Sequence, residues 1–574
     1  MARTVAIGIQ SFDKIRDENY FYIDKTDFIR EWWESGDEVT LITRPRRFGK
    51  TLNMSMLEQF FSVKYEGRSD LFEDLSIWQE EKYRQMQGTY PVISLSFASV
   101  KERDYASTIQ RICQIVAELY NDNRFLLEGD FLSEEEKGYF NSVSDNMPEV
   151  TASMALHRLS KFLCRYYGKK VIILLDEYDT PMQEAYVCGY WREMAAFTRS
   201  LFNATFKTNP YLERGVMTGV TRISKESIFS DLNNLKVVTT TSGKYGNVFG
   251  FTEEEVFNAL DYYGMGNEKD NVKKWYDGFT FGNYTDIYNP WSITNLLDER
   301  EFHPYWADTS SNSLIASLIR QANPQIKQIM ESLLTGGTLM TQIDEQIVFD
   351  QLDYDENAIW SLMLASGYLK VVRREFLPDG EMEYELAITN MEVLLMFRKI
   401  IRQWFQNPSA HYNDFVRALM ANDVKAMNHY MNKVALQTIS YFDVGNKPSE
   451  EIEPEHFYHG FVLGLIVELK DRYRVVSNRE SGFGRYDIVL EPINCGESSL
   501  KGFMGTAMAY VLEFKVYDGE EEKDLRDTVD AALRQIMEKQ YDAELVAKGI
   551  SRENIRHYGF AFRGKEVLIG ADEG

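Results

Sequence analysis

Two stretches constrain this chain more than any others. Val39–Met54, VTLITRPRRFGKTLNM, passes from β-branched and aliphatic residues through a turn into a helical pattern. Val171–Asp179, VIILLDEYD, is a five-residue apolar run that ends in carboxylates. An unbroken apolar run of this length suits a strand buried on both faces, as in a parallel sheet. At the junction in the first stretch stand Gly49, Lys50 and Thr51. There, backbone N–H groups and the positive end of the following helix would face phosphate oxygens. Lys50 would reach the β- and γ-phosphates, and the Thr51 hydroxyl would ligate Mg²⁺. Asp176, at the strand tip, would hold the Mg²⁺ and its water shell, and Glu177 would orient or deprotonate the attacking water.

The usual spacing of such a loop, G-x-x-x-x-G-K-[ST], wants glycine at position 44. This chain has Arg44, followed by Pro45, Arg46, Arg47 and Phe48. Pro45 removes one N–H donor from the cradle, and Arg44 is expected to reshape it. Gly-Lys-Thr alone arises by chance. A β-like run before it and an apolar run ending in Asp-Glu after it make nucleotide binding the better reading, with hydrolysis a separate question.

A chain of 574 residues holds several domains, each with ample core. Its charged fraction of 26% and hydrophobic fraction of 44% are those of a globular protein. No 18-residue apolar run predicts a membrane span, and the polar N-terminus does not read as a signal peptide. The four cysteines, Cys113, Cys164, Cys188 and Cys495, have no metal-ligand spacing, which points to thiols in a reducing cytoplasm. A net charge of −25 argues against chain-wide affinity for nucleic acid and leaves room only for a local patch.

Along the chain, a short amphipathic helix is expected near Asp27–Trp33. Phe21 and Tyr22 before it could flank an adenine ring, with core packing the plainer role. Strands are expected at Pro91–Phe97 and Arg214–Val220, and helices over about Tyr105–Leu127, Thr151–Tyr167 and Tyr190–Asn203. This alternation implies a parallel sheet covered on both faces. Thr218 or Thr221, at the end of the last strand, could sense the γ-phosphate, although a polar strand end at the surface is the plainer reading. Arg222 could stabilise transition-state charge, and a polar strand end at the surface is an equal reading for it. Thr252 and Glu255 form a capping box. Trp275–Gly278 and Tyr288–Ser292 read as rigid aromatic turns closing the nucleotide module. Tyr368–Ile388 reads as a hairpin after a helix, as in a winged helix.

Beyond an acidic linker at Asn446–Glu453, a helix is expected from Pro454 with Glu455 in its first turn. Tyr473–Leu490 reads as β structure carrying Glu480 and Asp487, and Ala509–Val516 as an inner strand. Glu513 and Lys515, two apart on that strand, would project from one face. If the strands are neighbours, Asp487 and Glu513 converge. Two such carboxylates can hold Mg²⁺ for phosphodiester cleavage, with Lys515 offsetting developing charge. An ordinary cross-strand Glu–Lys pair is the competing reading. Gln535, on a helix at Asp524–Tyr541, could face the same site or equally well the solvent.

As a set, YFYIDKT, RPRRFGKT, ILLDEYDTP, MTGVTRISKESIFS, WYDGF, YNPWS, SGYL, EHFYH, ESGFGRYDIVL, EFKV and ALRQIMEKQY resemble a bacterial family that pairs an AAA-like ATPase domain with a C-terminal PD-(D/E)XK nuclease domain. The resemblance spans nearly the whole chain, and the family shares the arginine at position 44. It implies an α/β fold with a P-loop, RecA/AAA-like domain over 1–299, a helical, winged-helix-like region over 300–445, and a restriction-endonuclease-like α/β domain over 446–574. It also implies a RecA-like core of the additional-strand, catalytic-glutamate type with Glu177 as base, and Glu455, Asp487, Glu513, Lys515 and Glu480 at the nuclease site.

The leading expectation is a cytoplasmic ATP-binding protein whose nucleotide state gates a nuclease site using Mg²⁺, with Mn²⁺ an alternative, in a setting such as defence. It would contact nucleic acid through a local patch and no membrane, and its assembly could be homo-oligomeric. Residues 451–574 hold 16 Lys/Arg against 24 Asp/Glu, so two other readings stand. One is an ATP-driven switch whose nuclease-like domain only binds nucleic acid or protein. The other is an ATPase acting on proteins.

Overall fold

The computed structural model describes residues 2–221, 229, 232–307, 315–316, 318–319, 324–334, 336–344, 356–378, 380–405, 413–438, 462, 469, 472–481, 484–493, 508–519, 522–563 and 566–572. The chain divides into two compact units, residues 1–318 with 336–396, and residues 319–335 with 397–574. The middle region 300–445 is thus shared between them.

The first unit is built on five parallel strands: β1 (Val39–Thr43), β2 (Val92–Ser96), β3 (Val171–Asp176), β4 (Leu212–Gly219) and β5 (Leu235–Val238). Their order is β2-β3-β4-β1-β5, every pairing parallel. All residues of β1 and β3 are buried, because parallel strands need crossovers whose helices cover the sheet faces. Those crossovers include Lys50–Phe61, Tyr105–Asp122, Glu149–Tyr167 and Trp191–Phe202. Each fully buried Ile or Leu of β3 contributes roughly 1.5–3 kcal/mol by leaving water. β4 lies between β1 and β3, separating the strand that leads into the loop from the one that ends in Asp176. A helix at Glu134–Ser142, outside the sequence expectation, starts at a reciprocal Ser133–Glu136 capping box.

The unit continues with a small antiparallel sheet of β6 (Phe251–Thr252), β7 (Phe279–Phe281) and β8 (Tyr284–Tyr288), ordered β6-β8-β7. The Thr252–Glu255 capping box is present. Glu255 also takes the buried Lys25 ammonium at 2.6 and 2.7 Å, so the YFYIDKT segment is tied to this module. Phe21 packs edge-on to Tyr263 and Tyr22 edge-on to Phe12, which is the packing role. A third sheet holds β9 (Leu339–Gln342), β10 (Leu369–Phe376) and β11 (Met382–Ile388), ordered β10-β11-β9. The expected hairpin is β10–β11, and it follows the helix Glu356–Ala365.

The second unit carries a mixed sheet, β12 (Tyr473–Ser481), β13 (Gly484–Pro492), β14 (Ala509–Val516), β15 (Ile555–Arg563) and β16 (Glu566–Ala571), in sequential order. β14 and β15 are parallel and the other pairs antiparallel. Strand alternation sends Leu512, Phe514, Phe560 and Phe562 into one core with Phe415 and Met431. It sends Val489, Ala509 and Val511 into another with Ile536 on the helix Leu525–Lys539.

Candidate functional site

The turn after β1 ends at Gly49, whose φ of +78° caps the helix Lys50–Phe61. A side chain there would be strained by backbone conformation and not by crowding, because a Cβ would meet only Asn53 Nδ2 at 3.8 Å. Thr51, in the first turn, donates its hydroxyl to Asp176 Oδ2 at 2.6 Å. Thr218, at the tip of β4, donates to the other oxygen, Asp176 Oδ1. Thr218 is fully buried and Asp176 nearly so. The surface reading of the two threonines is therefore overturned, since Thr221 is buried as well. The order β3-β4-β1 causes this convergence: Asp176 is flanked by β4, and β4 by the strand that leads into the loop.

The buried Lys50 ammonium lies 2.9 Å from the Arg44 carbonyl and 2.8 Å from that of Pro45. Burial holds its pKa below the ordinary lysine value, against the attraction of Asp176, Glu177 and Asp179. Glu177 sits at φ +51° and accepts from Thr180 Oγ1 at 3.0 Å. A hydroxyl, a carboxylate and an adjacent second carboxylate beside a helix N-terminus form a hard oxygen donor set, the kind that suits Mg²⁺ held together with a nucleotide phosphate.

Arg44 does not line the phosphate cradle with its side chain. The guanidinium is fully buried and donates to the carbonyls of Thr43, Thr239 and Lys244 at 2.9, 2.6 and 3.1 Å. It lies 4.4 Å over the Phe281 ring. Burial lowers its pKa to about 9. Arg46 and Arg47 are exposed; Arg46 reaches Gln183 at 3.3 Å and Arg47 stacks on Trp291. The Phe48 ring is buried against Phe279 and Phe281, so only its backbone is available to a ligand. Arg222 and Glu455 lie outside the described residues, as does the side chain of Glu480.

In the second unit, the pairing Ile488↔Leu512 places Asp487 and Glu513 at corresponding positions one step further along β13 and β14. Asp487 Oδ2 accepts the Phe514 N–H at 2.8 Å. Glu513 is 2% exposed and accepts from Gln535 Nε2, which also donates to Tyr541 at 3.0 Å. Lys515 follows on the same face of β14, half-buried.

Comparison with known proteins matches both sites to family models. Residues 6–229 match the family described as predicted AAA-ATPase, and residues 453–572 match the PD-(D/E)XK nuclease superfamily. The chain pairs an AAA-ATPase-like domain with a PD-(D/E)XK nuclease superfamily domain. It is also 26% identical to an uncharacterized protein in the vnfD 5′ region of Azotobacter chroococcum mcd 1, over 99% of this chain and 98% of that protein.

Within the AAA-ATPase-like domain, sequence reasoning missed Tyr178 and Asp179. Asp179 is 1% exposed. Its Oδ2 accepts the N–H groups of Val220 and Thr221 at 2.9 and 2.8 Å, the Thr221 hydroxyl at 3.0 Å, and Gln183 Nε2 at 2.9 Å. The Tyr178 hydroxyl donates to the Thr221 carbonyl at 2.7 Å. Gly219 admits this packing, since a Cβ there would lie 2.6 Å from the Tyr178 ring and 2.7 Å from Asp179. The signal was a second aspartate three residues after Asp176.

The YNPWS segment, through Asn289, and Trp306 beyond it both reach the loop that follows β1. Asn289 Nδ2 and Trp306 Nε1 both donate to the Arg46 carbonyl. Among the described residues, no helix is long and apolar enough to cross a membrane.

Proposed function

We propose that this protein binds and hydrolyses ATP with Mg²⁺ at Lys50, Thr51, Asp176 and Glu177, and that its nucleotide state gates phosphodiester cleavage at Asp487, Glu513 and Lys515. The observation that carries the reading is the hydrogen-bonded set Thr51–Asp176–Thr218 at the carboxyl end of the parallel sheet. In this reading Lys50 leaves its carbonyls to meet phosphate oxygens, and Glu177 takes the proton of the attacking water. Bound Mg²⁺ supplies charge neutralisation, and Thr51 and Asp176 would hold it.

At the second site Asp487 and Glu513 would hold a divalent cation, Mg²⁺ or Mn²⁺, which supplies Lewis acidity toward a phosphodiester. Lys515 would offset charge on the scissile phosphate. Glu455 and Arg222 belong to the proposal on the family resemblance alone. The acidic balance of the nuclease-like domain calls for a focused nucleic-acid patch, in a cytoplasmic setting such as defence.

The test incubates the full chain with Mg²⁺ or Mn²⁺, with and without ATP, on single- and double-stranded DNA and RNA. Expected is cleavage that depends on ATP and disappears in Asp487→Ala, Glu513→Ala and Lys515→Ala while ATP binding persists. Intact ATP turnover with no cleavage of any substrate would instead support a nucleotide switch with a binding-only nuclease-like domain.

A further inference from the structure

We propose that Asn289, Trp291 and Trp306 are positioning residues for the nucleotide, setting the shape of a phosphate loop that lacks its usual first glycine. The proposal rests on the ATP reading above and deepens it.

The loop Arg44–Gly49 starts with two handicaps. Arg44 is committed to three carbonyls on its far side, and Pro45 has no N–H to offer. The useful donors therefore begin at Arg46 and Arg47. The Arg46 carbonyl is held at 3.0 Å by Trp306 Nε1 and at 3.4 Å by Asn289 Nδ2. Because a trans peptide is planar, its C=O and N–H point in opposite directions. Anchoring that carbonyl turns the Arg47 N–H away from Asn289 and Trp306.

Arg47 then adopts φ +63°, a conformation that costs any residue with a Cβ. Its guanidinium lies 3.7 Å over the Trp291 ring, an attraction that offsets the strain. Residues alternating between right- and left-handed conformations turn successive N–H groups into one concavity that suits an anion. Gly49, at φ +78°, is the second left-handed residue of the loop.

The anchoring groups are themselves fixed. Asn289 is fully buried, and its Oδ1 accepts the N–H groups of Trp291 and Ser292 at 2.9 and 3.3 Å, capping the helix Pro290–Glu299. Trp306 is 1% exposed, with its ring against Phe279 and Tyr368. Its backbone N–H donates to the buried Glu392 carboxylate, which also accepts Ser292 Oγ at 2.9 Å. A rigid scaffold outside the parallel sheet thus dictates the path of the loop.

Two substitutions remove the donors while keeping the shapes. Trp306→Phe keeps an aromatic ring against Phe279 and loses Nε1–H. Asn289→Asp keeps the helix-capping oxygen and replaces the Nδ2–H donor with an oxygen that repels the Arg46 carbonyl. The full chain and both variants, singly and combined, are titrated with a fluorescent ATP analogue in Mg²⁺, assayed for steady-state ATP turnover, and melted without nucleotide.

The double variant is expected to raise Kd and KM for ATP by about tenfold, with kcat within about twofold and a cooperative melt at a lower temperature, as loss of ground-state phosphate binding in a folded protein requires. If the double variant unfolds, Trp306→Phe alone decides, with an expected rise of about threefold to fivefold. Wild-type protein that binds ATP no better than the variants overturns the proposal, as does a fall in kcat at unchanged KM. Wild-type protein that binds no ATP at all overturns the ATP reading first, and this one with it.

Discussion

Thr51 Oγ1 lies 2.6 Å from Asp176 Oδ2, joining residues 125 positions apart. A hydroxyl from the first turn of one helix and a carboxylate at the end of a strand two places away in the sheet meet because β4 separates β1 from β3. Thr218, on that intervening strand, bonds the second carboxylate oxygen. Four testable consequences follow from this neighbourhood and from the module that surrounds it.

Glu177 adjoins Asp176 and is only half-buried, so its amide replacement preserves shape while removing a base. Glu177→Gln is expected to keep ATP affinity and to slow turnover by roughly 10²–10⁴-fold, the usual weight of general-base catalysis. Phosphate release measured beside a binding titration checks it. Turnover at the wild-type rate would sink the assigned role.

Asp179 ties the end of β3 to the end of β4 through three donors on Val220 and Thr221. Asp179→Ala strands those buried donors, and a loss of about 2–4 kcal/mol in unfolding free energy is expected. Urea melts of the two proteins measure it. A loss under half a kilocalorie per mole would mean that the loop holds its shape without this carboxylate.

Arg44 is fully buried, and three backbone carbonyls accept from its two terminal nitrogens. Lysine has one compact ammonium and cannot span them. Arg44→Lys is expected to cost about 2–4 kcal/mol, and Arg44→Gly at least as much because it leaves a cavity. Installing the customary glycine should therefore weaken this protein and leave its ATP affinity no better. Thermal melts and nucleotide titration report the two halves of that statement.

Asp277, in the WYDGF turn, lies with Glu253 and Asp286 in a carboxylate trio, one oxygen of each falling within 4.8 Å of the others. Lys273 pairs with Glu253 and Asp286, Tyr288 donates to Glu253 at 3.2 Å, and Lys370 lies near enough to attract Asp277. Burial and the Asp286 charge raise the Asp277 pKa to about 6. Between the ordinary carboxylate value and about 6, the folded protein binds more protons than the unfolded chain, so this group makes stability fall as pH rises. Asp277→Asn should flatten that fall and stabilise the protein at neutral pH by about 1 kcal/mol, discounted because the group is partly exposed. Melting temperatures followed from pH 4 to 8 test the sign, and a variant that is less stable at pH 7 and no flatter below it contradicts it.

Much of the site was legible because its signals are local. β3 was visible as an apolar run, and Gly49-Lys50-Thr51 marked a strand-to-helix junction. Thr252 and Glu255 announced their capping box through spacing alone. Glu513 and Lys515 share a face by the period of a strand, and that required no knowledge of neighbours. The helix at Glu134–Ser142 was missed although Ser133 and Glu136 carry the same capping signature, because its apolar face is weak.

The misreadings concern burial. Thr218 and Thr221 look like surface polar residues in RGVMTGVTR, and only the flanking of β4 by β1 and β3 puts them inside. Arg44 looked like part of a phosphate cradle because it stands in a glycine's place. Its destination was set by the carbonyls of Thr239 and Lys244, some two hundred residues away.

Sequence alone determined the strands and helices that frame the two sites, and which oxygen and nitrogen groups stand at their ends. Propensity, capping and apolar periodicity act over a few residues, so a linear reading captures them. Tertiary structure alone decided that Asn289 and Trp306 hold the Arg46 carbonyl, and that Asp179 braces β4. Those contacts depend on strand order and on packing between distant segments, and no local preference of the chain encodes them.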